Sequence, residues 1–359
     1  MDAIMPLALP LLTTRPELGQ ADLPTLVAFY EACEQADPRD HAPTLDQLQH
    51  RLDHPPPGGR HRRQYWETAD GQLVGVVNLW MTDPRTDIPP EPSLPASFAP
   101  PTSQEKSALG PYPPVVNGHL GIMVHPSYRH QGLESTLLDW AENFVQTYGQ
   151  TTQRDGPIPV YLRATVAQDR TVEQESYGAH GFQMVRCFQT LQRSLLLPVD
   201  APSWPAGFGM QRADTVQVED WVALFNDAFV DHWRFVPLTV AQHQHRRQSP
   251  TYQPDLDWVA VAADGTLVGF CTAHIPYEDN ARHHRQEGEI TLLGTRRGYR
   301  RQGLARAMLL YGLQQLQAAG LDTVMIGVDR DNPNQAKALY ESLGFGLKES
   351  WLNYFKVFT

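Results

Sequence analysis

The stretch with the clearest chemical possibilities is Arg300-Arg-Gln-Gly-Leu-Ala305, followed at once by Arg306. An R-x-x-G-x-A spacing suits a loop that opens a helix, where successive backbone N–H groups and the positive helix end face an anion. Gly303 and Ala305 leave room for a phosphate to reach the backbone. Arg300, Arg301 and Arg306 add guanidinium forks that match phosphate oxygens. The flanking elements follow from periodicity. Ile290, Leu292 and Leu293 supply a buried strand ahead of the loop. Leu309, Leu313 and Leu316 recur at helical spacing behind it until Gly320 stops the pattern.

This run resembles the pyrophosphate-binding motif of the GCN5-related N-acetyltransferase (GNAT) superfamily, and Leu339-Tyr-Glu-Ser-Leu-Gly-Phe345 downstream strengthens the likeness. The resemblance implies a mixed-sheet α/β (α+β) fold and acetyl-CoA as cosubstrate. It lays the backbone of Leu293, Gly294 and Thr295 along the pantetheine arm, with one N–H facing the developing oxyanion. It sets Arg300, Arg301, Gln302, Gly303, Leu304, Ala305 and Arg306 around the pyrophosphate. By the same resemblance Asn332 stands near the cofactor, and Tyr340 gives a proton to the leaving thiolate. Thr295 and Arg297 depart from the family's aliphatic residue and proline, which backbone contacts tolerate. Gly288-Glu-Ile-Thr-Leu-Leu-Gly294 is similar to the Gly-Glu-aliphatic pattern that supplies the base in mycothiol synthases, a tandem branch of the superfamily. That makes Glu289 the candidate base. Each residue has a plainer alternative: a core tyrosine at 340, a solvated strand end at 289, and a helix cap at Asn332, with Pro333 and Gln335 completing the cap.

The chain also repeats itself. Tyr128-Arg-His-Gln-Gly-Leu133 matches Tyr299-Arg-Arg-Gln-Gly-Leu304, Asp70-Gly-Gln-Leu-Val-Gly75 matches Asp264-Gly-Thr-Leu-Val-Gly269, and Tyr177-Gly-Ala-His-Gly-Phe182 matches Tyr340-Glu-Ser-Leu-Gly-Phe345. The order is the same in both halves, so two copies of one fold are expected. Residues 1–197 form the first copy, with a proline-rich insertion at 82–114; 198–206 form a linker, and 207–359 the second copy. The first copy has Glu134 where the motif has Ala305, Asp169 for Asn332 and Gly118 for Glu289, while Tyr177 survives. A carboxylate at that helix start repels pyrophosphate and competes for the same N–H groups. A degenerate, catalytically silent first copy is expected.

Wider features set the class. A length of 359 residues fits two domains. The formal net charge of −11 argues against a nucleic-acid partner. Cys33, Cys187 and Cys271 are isolated in sequence, which suits a reducing, cytoplasmic setting. No stretch has membrane-spanning length. His243 with His245, and His283 with His284, lack metal-ligand spacing and read as solvated surface, so no metal is expected. Trp233, Phe235 and Tyr277 are candidates for an acceptor pocket. The sequence reading is an acetyl-CoA-dependent N-acetyltransferase acting on the amine of a small molecule or peptide, expected as a monomer. The alternatives are a mycothiol-synthase-like or other acyl-CoA N-acyltransferase, and a non-catalytic coenzyme A sensor or scaffold.

Overall fold

The computed structural model describes residues 11–40, 42–55, 59–82, 116–151, 160–233 and 235–358. The proline-rich stretch from residue 83 to 114 lies outside them. The chain forms two compact units. One holds the described residues up to Arg186 together with Leu352–Phe358, the other Cys187–Trp351. Each sequence repeat thus gives most of its closing strand to the other unit.

In the first unit the strand order is β1 (Thr13–Pro16), β2 (Gly59–Glu67), β3 (Leu73–Thr82), β4 (Val116–Val124), β5 (Val160–Ala167) and then the end of the last strand. All neighbours through β4 are antiparallel, and β4 runs parallel to β5. Helices α1 (Leu23–Ala36) and α2 (Leu45–Asp53) pack through Leu23, Leu26, Phe29 and Leu48 on Tyr65 and Val76. Helix α3 (Leu133–Thr151) buries Leu133, Leu137, Leu138 and Ala141 completely. Helix α4 (Thr171–Ala179) carries Tyr177, whose ring stacks on Tyr354.

In the second unit β6 (Gln183–Ser194), β7 (Phe208–Arg212), β8 (Asp257–Ala262), β9 (Leu267–His274), β10 (Glu287–Thr295), β11 (Thr323–Asp329) and β12 (Gly346–Phe358) stand in the order β12-β6-β11-β10-β9-β8-β7. Here too the central pair, β10 with β11, is parallel and the pairs from β10 to β7 are antiparallel. Helix α5 (Val218–Phe229) and helix α6 (Val240–Arg247) cover one face of the sheet through Trp221, Leu224 and Phe270. Helix α8 (Leu304–Ala318) lies on the other, where Met308, Leu309, Leu313 and Leu316 are fully buried against Val268, Ile290 and Val324. Gly320 ends this helix at φ 84°, a left-handed position that suits glycine.

The segment between β9 and β10 contains a two-turn helix α7 (Tyr277–His283). Asn280 fixes it to β10: its amide donates to Glu287 O at 2.8 Å and accepts from Glu287 N at 3.2 Å. Helix α9 (Ala336–Ser342) follows β11.

Gly294 is dictated by packing. A side-chain carbon there would collide with the Phe270 ring, which is itself held between Trp221, Phe225 and Phe229. Gly294→Ala is therefore expected to lower stability by about 1–3 kcal/mol, read from the urea midpoint at unchanged slope. A midpoint equal to that of the parent chain would mean that the aromatic stack yields.

Candidate active site

The site is built where β10 loses a neighbour. Its parallel ladder with β11 runs only from Glu287–Thr323 to Ile290–Ile326. Beyond that, Leu292, Leu293, Gly294 and Thr295 pair with β9 alone, opposite Thr272, Cys271, Phe270 and Gly269. Among the described residues one edge of this segment thus has no strand beside it, and an extended ligand can add there as a strand would. The ladder to β9 also slips by one residue between Ile290 and Leu292. Thr291 is the extra residue of this bulge, and its hydroxyl donates to Thr272 O at 3.2 Å. A bulge turns local backbone groups out of the ladder, the condition for an N–H to face a ligand.

The first unit has the same parting but no bulge. Its β3–β4 ladder runs without a slip from Gly75–Val124 to Met81–Gly118. The parallel ladders keep Gly118 in the place of Glu289, as the third pairs Gly118–Leu162 and Glu289–Met325, and the antiparallel ladders differ from this by the one residue of the bulge. In the antiparallel ladders Glu289 stands opposite His274, and His119 opposite Trp80.

The two loops share one backbone shape. Arg301 and Gly303 have φ 63° and 87°, His130 and Gly132 have φ 63° and 92°. The arginine before each turn donates through Nε to the last carbonyl of its strand, Arg300 to Thr295 O at 3.1 Å and Arg129 to Val124 O at 3.0 Å. Arg300 spends its remaining donors on Ala228 O, Asp231 and Asn334. Its charge therefore builds the loop, where the sequence suggested a phosphate ligand. Arg297 and Arg300 together hold the Asp231 carboxyl down at about 2.

What differs is occupancy of the turn. Glu134 is buried and its carboxylate accepts from His130 N at 2.9 Å. In the second unit Ala305 stands in that place, and the N–H groups of Arg301 to Ala305 find no protein acceptor among the described residues. A side-chain carbon on Gly303 would meet nothing within 4 Å. The Thr295 hydroxyl is likewise buried without a protein partner. An open left-handed turn with unspent donors fits a pyrophosphate.

The other predicted residues fall around this framework. Tyr340 is buried on α9, and burial raises its phenol pKa, with Cys271 contributing. Tyr340 shares one core cluster with Cys271, and Leu293, which stands opposite Cys271, packs against that cluster. Glu289 sits four residues before Leu293 on β10 but only three steps along β9, roughly 10 Å away by strand rise. Gln302 is exposed, as are Arg301 and Arg306, and Arg306 bonds Ser342 Oγ at 3.1 Å, tying α8 to α9. Leu304 is buried in the α8 core.

Asn332 does not cap α9. Its side chain accepts from Asn334 N at 2.8 Å, and the helix begins four residues later behind Gln335, at φ 57°. Trp233 packs near Phe188, and Tyr277 is 65% exposed.

Comparison with known proteins decides the family. A family model described as the acetyltransferase (GNAT) family matches residues 218–345. A mycothiol acetyltransferase of Thermobispora bispora is 31% identical over 233 residues, 62% of this chain and 71% of that protein. The chain belongs to the GNAT acetyltransferase family. A mycothiol acetyltransferase of Salinispora arenicola is 29% identical over 340 residues, 93% of this chain and 92% of that one. Among solved structures, a tandem GNAT protein from the clavulanic acid biosynthesis pathway superposes with a TM-score of 0.67 at 16% identity, covering 96% of this chain and 98% of that one. A GCN5-related N-acetyltransferase from Sphaerobacter thermophilus gives a TM-score of 0.66 at 20% identity, covering 96% and 95%. These likenesses show the fold. The protein is an acetyl-CoA-dependent acetyltransferase of tandem type.

Sequence reasoning missed two features of this acetyltransferase. The bulge at Thr291 leaves no signature in composition, because only register against β9 reveals it. His243 was expected on solvated surface but is 1% exposed, stacked on Trp221 at 4.0 Å, and burial pushes its pKa down to about 3. No helix among the described residues is long and apolar enough to cross a membrane.

Transplanting the first unit's plug tests the loop. Ala305→Glu is expected to weaken acetyl-CoA binding at least tenfold in calorimetry with little change in thermal midpoint. Binding equal to that of the parent chain would show that the turn does not hold the pyrophosphate.

Proposed function

We propose that the second copy, residues 207–359, carries the acetyl transfer, by direct attack of a primary amine on acetyl-CoA. The observation that carries this reading is the contrast between two otherwise equal turns, one plugged by Glu134 and one with unspent N–H groups. Acetyl-CoA supplies the activated acetyl thioester. The open edge of Leu293, Gly294 and Thr295 holds the pantetheine arm, and the Gly303 turn holds the pyrophosphate. Glu289 takes the proton from the acceptor's ammonium group, and Tyr340 donates its phenolic proton to the departing thiolate. Burial raises the Tyr340 phenol pKa, so the proton is on the oxygen across the neutral range. The first copy serves as a silent companion that lacks both the open turn and the bulge.

The relatives named mycothiol acetyltransferases favour a small-molecule amine over a peptide. Cys33, Cys187 and Cys271 are buried as thiols, outside any disulfide among the described residues, which favours the cytoplasm. A monomer fits a chain that carries two copies of the fold.

A panel of amino sugars, amino acids and short peptides, followed by release of free thiol from acetyl-CoA, tests the activity. Transfer to an amine well above hydrolysis is expected; hydrolysis alone would leave a coenzyme A-binding module. With the fastest amine, Tyr340→Phe is expected to lower kcat about tenfold to a hundredfold while acetyl-CoA affinity holds. Unchanged kcat would remove Tyr340 from the reaction.

A further inference from the structure

Glu289 has a titratable neighbour directly across the ladder. His274 pairs with it in the β9–β10 register, and residues so paired point to one face with Cβ atoms about 5 Å apart. Both are half-buried. Two carboxylates face the imidazole, Glu289 from β10 and Asp279 from α7. Asp279 also meets Arg282 of its own helix at 3.8 Å. In the segment ahead of β8, the neutral Gln253 uses its amide on both backbone groups of Ile275, each at 2.8 Å. Burial outweighs the two carboxylates and lowers the His274 pKa, so the ring is neutral near pH 7 and has a lone pair to offer. The other copy has no such pair, since Trp80 stands opposite His119 at the same register. The carboxylate–imidazole pair thus occurs in the copy whose turn is open and is absent from the copy whose turn is plugged.

We propose that His274 is the relay partner of Glu289, a positioning residue that clears the proton Glu289 takes from the acceptor. This rests on the reading of Glu289 as the base. In the first transfer an N–H bond of the ammonium group breaks, its electron pair stays on nitrogen, and an O–H bond forms on Glu289. In the second that O–H bond breaks, an N–H bond forms on the imidazole, and Glu289 returns to its anionic form. Solvent then takes the proton from His274. No electron changes hands, and no further reactant is needed. The relay spares a half-buried carboxyl from having to discharge directly to water before each new acceptor binds.

Two readouts test this. The first is a proton–nitrogen NMR titration of the histidine rings in the full chain, with His274 assigned by loss of its signal in His274→Gln. Glu289→Gln removes a negative neighbour, so the His274 midpoint should move down; an unmoved midpoint would overturn the pairing. The second uses the fastest amine of the panel above. His274→Gln should lower kcat/KM for the amine about tenfold, leave KM for acetyl-CoA unchanged and alter the acidic limb of the pH profile. The double variant should be no slower than Glu289→Gln alone. Normal turnover in Glu289→Gln would remove the base itself, and the relay with it. A slow Glu289→Gln beside an unimpaired His274→Gln would remove the relay alone.

Discussion

The second unit depends on one constraint: β10 has strands on both sides only as far as Ile290. Backbone N–H and C=O groups need partners when they leave water. A strand that loses its neighbour halfway must meet solvent or another extended chain there. The core fixes where this happens. Ile290, Ile326 and Val324 sit in one cluster with Leu309, Leu313 and Leu316 of α8, which locks the paired half of the β10–β11 ladder. The bulge at Thr291 then turns the free half, and Gly294 lets it lie against Phe270.

The two copies act as an internal experiment on the loop that follows. Both keep the left-handed pair of residues and the arginine Nε bond to the end of the strand. Those features are therefore needed to make the turn, whatever it holds. Where the turn is plugged, the anion is the chain's own Glu134, whose carboxylate takes the N–H of His130. Where it is open, Asp231 ties Arg297 and Arg300 to the end of α5, and the turn keeps its shape with its donors unspent. Side-chain charge thus holds the loop, and the backbone N–H groups of Arg301 to Ala305 are left without a protein acceptor among the described residues.

Much of this was legible in the sequence, and the reasons are local. Strand β10 and helix α8 fall at the expected residues because the spacing of Ile290, Leu292 and Leu293, and of Leu309, Leu313 and Leu316, marks them, with Gly320 as the stop. The R-x-x-G-x-A loop was legible because only glycine fits φ 87° comfortably. What escaped depended on partners distant in sequence. The place of Glu289 needed the register against His274, which the extra residue Thr291 shifts by one relative to the other copy. His243 lies in a polar run, and only the Trp221 ring packed over it reveals burial. Asn332 carried every local signal of a helix cap, yet Gln335 in a left-handed conformation starts the helix later.

The central claim is that this chain holds one molecule of acetyl-CoA, in its second copy. Calorimetric titration of the unmodified chain tests it most directly. A stoichiometry of one per chain is predicted, because Glu134 already fills the other turn. Two sites per chain would show that the carboxylate gives way and that both copies bind. Absence of binding at millimolar acetyl-CoA would contradict the account of the open turn altogether.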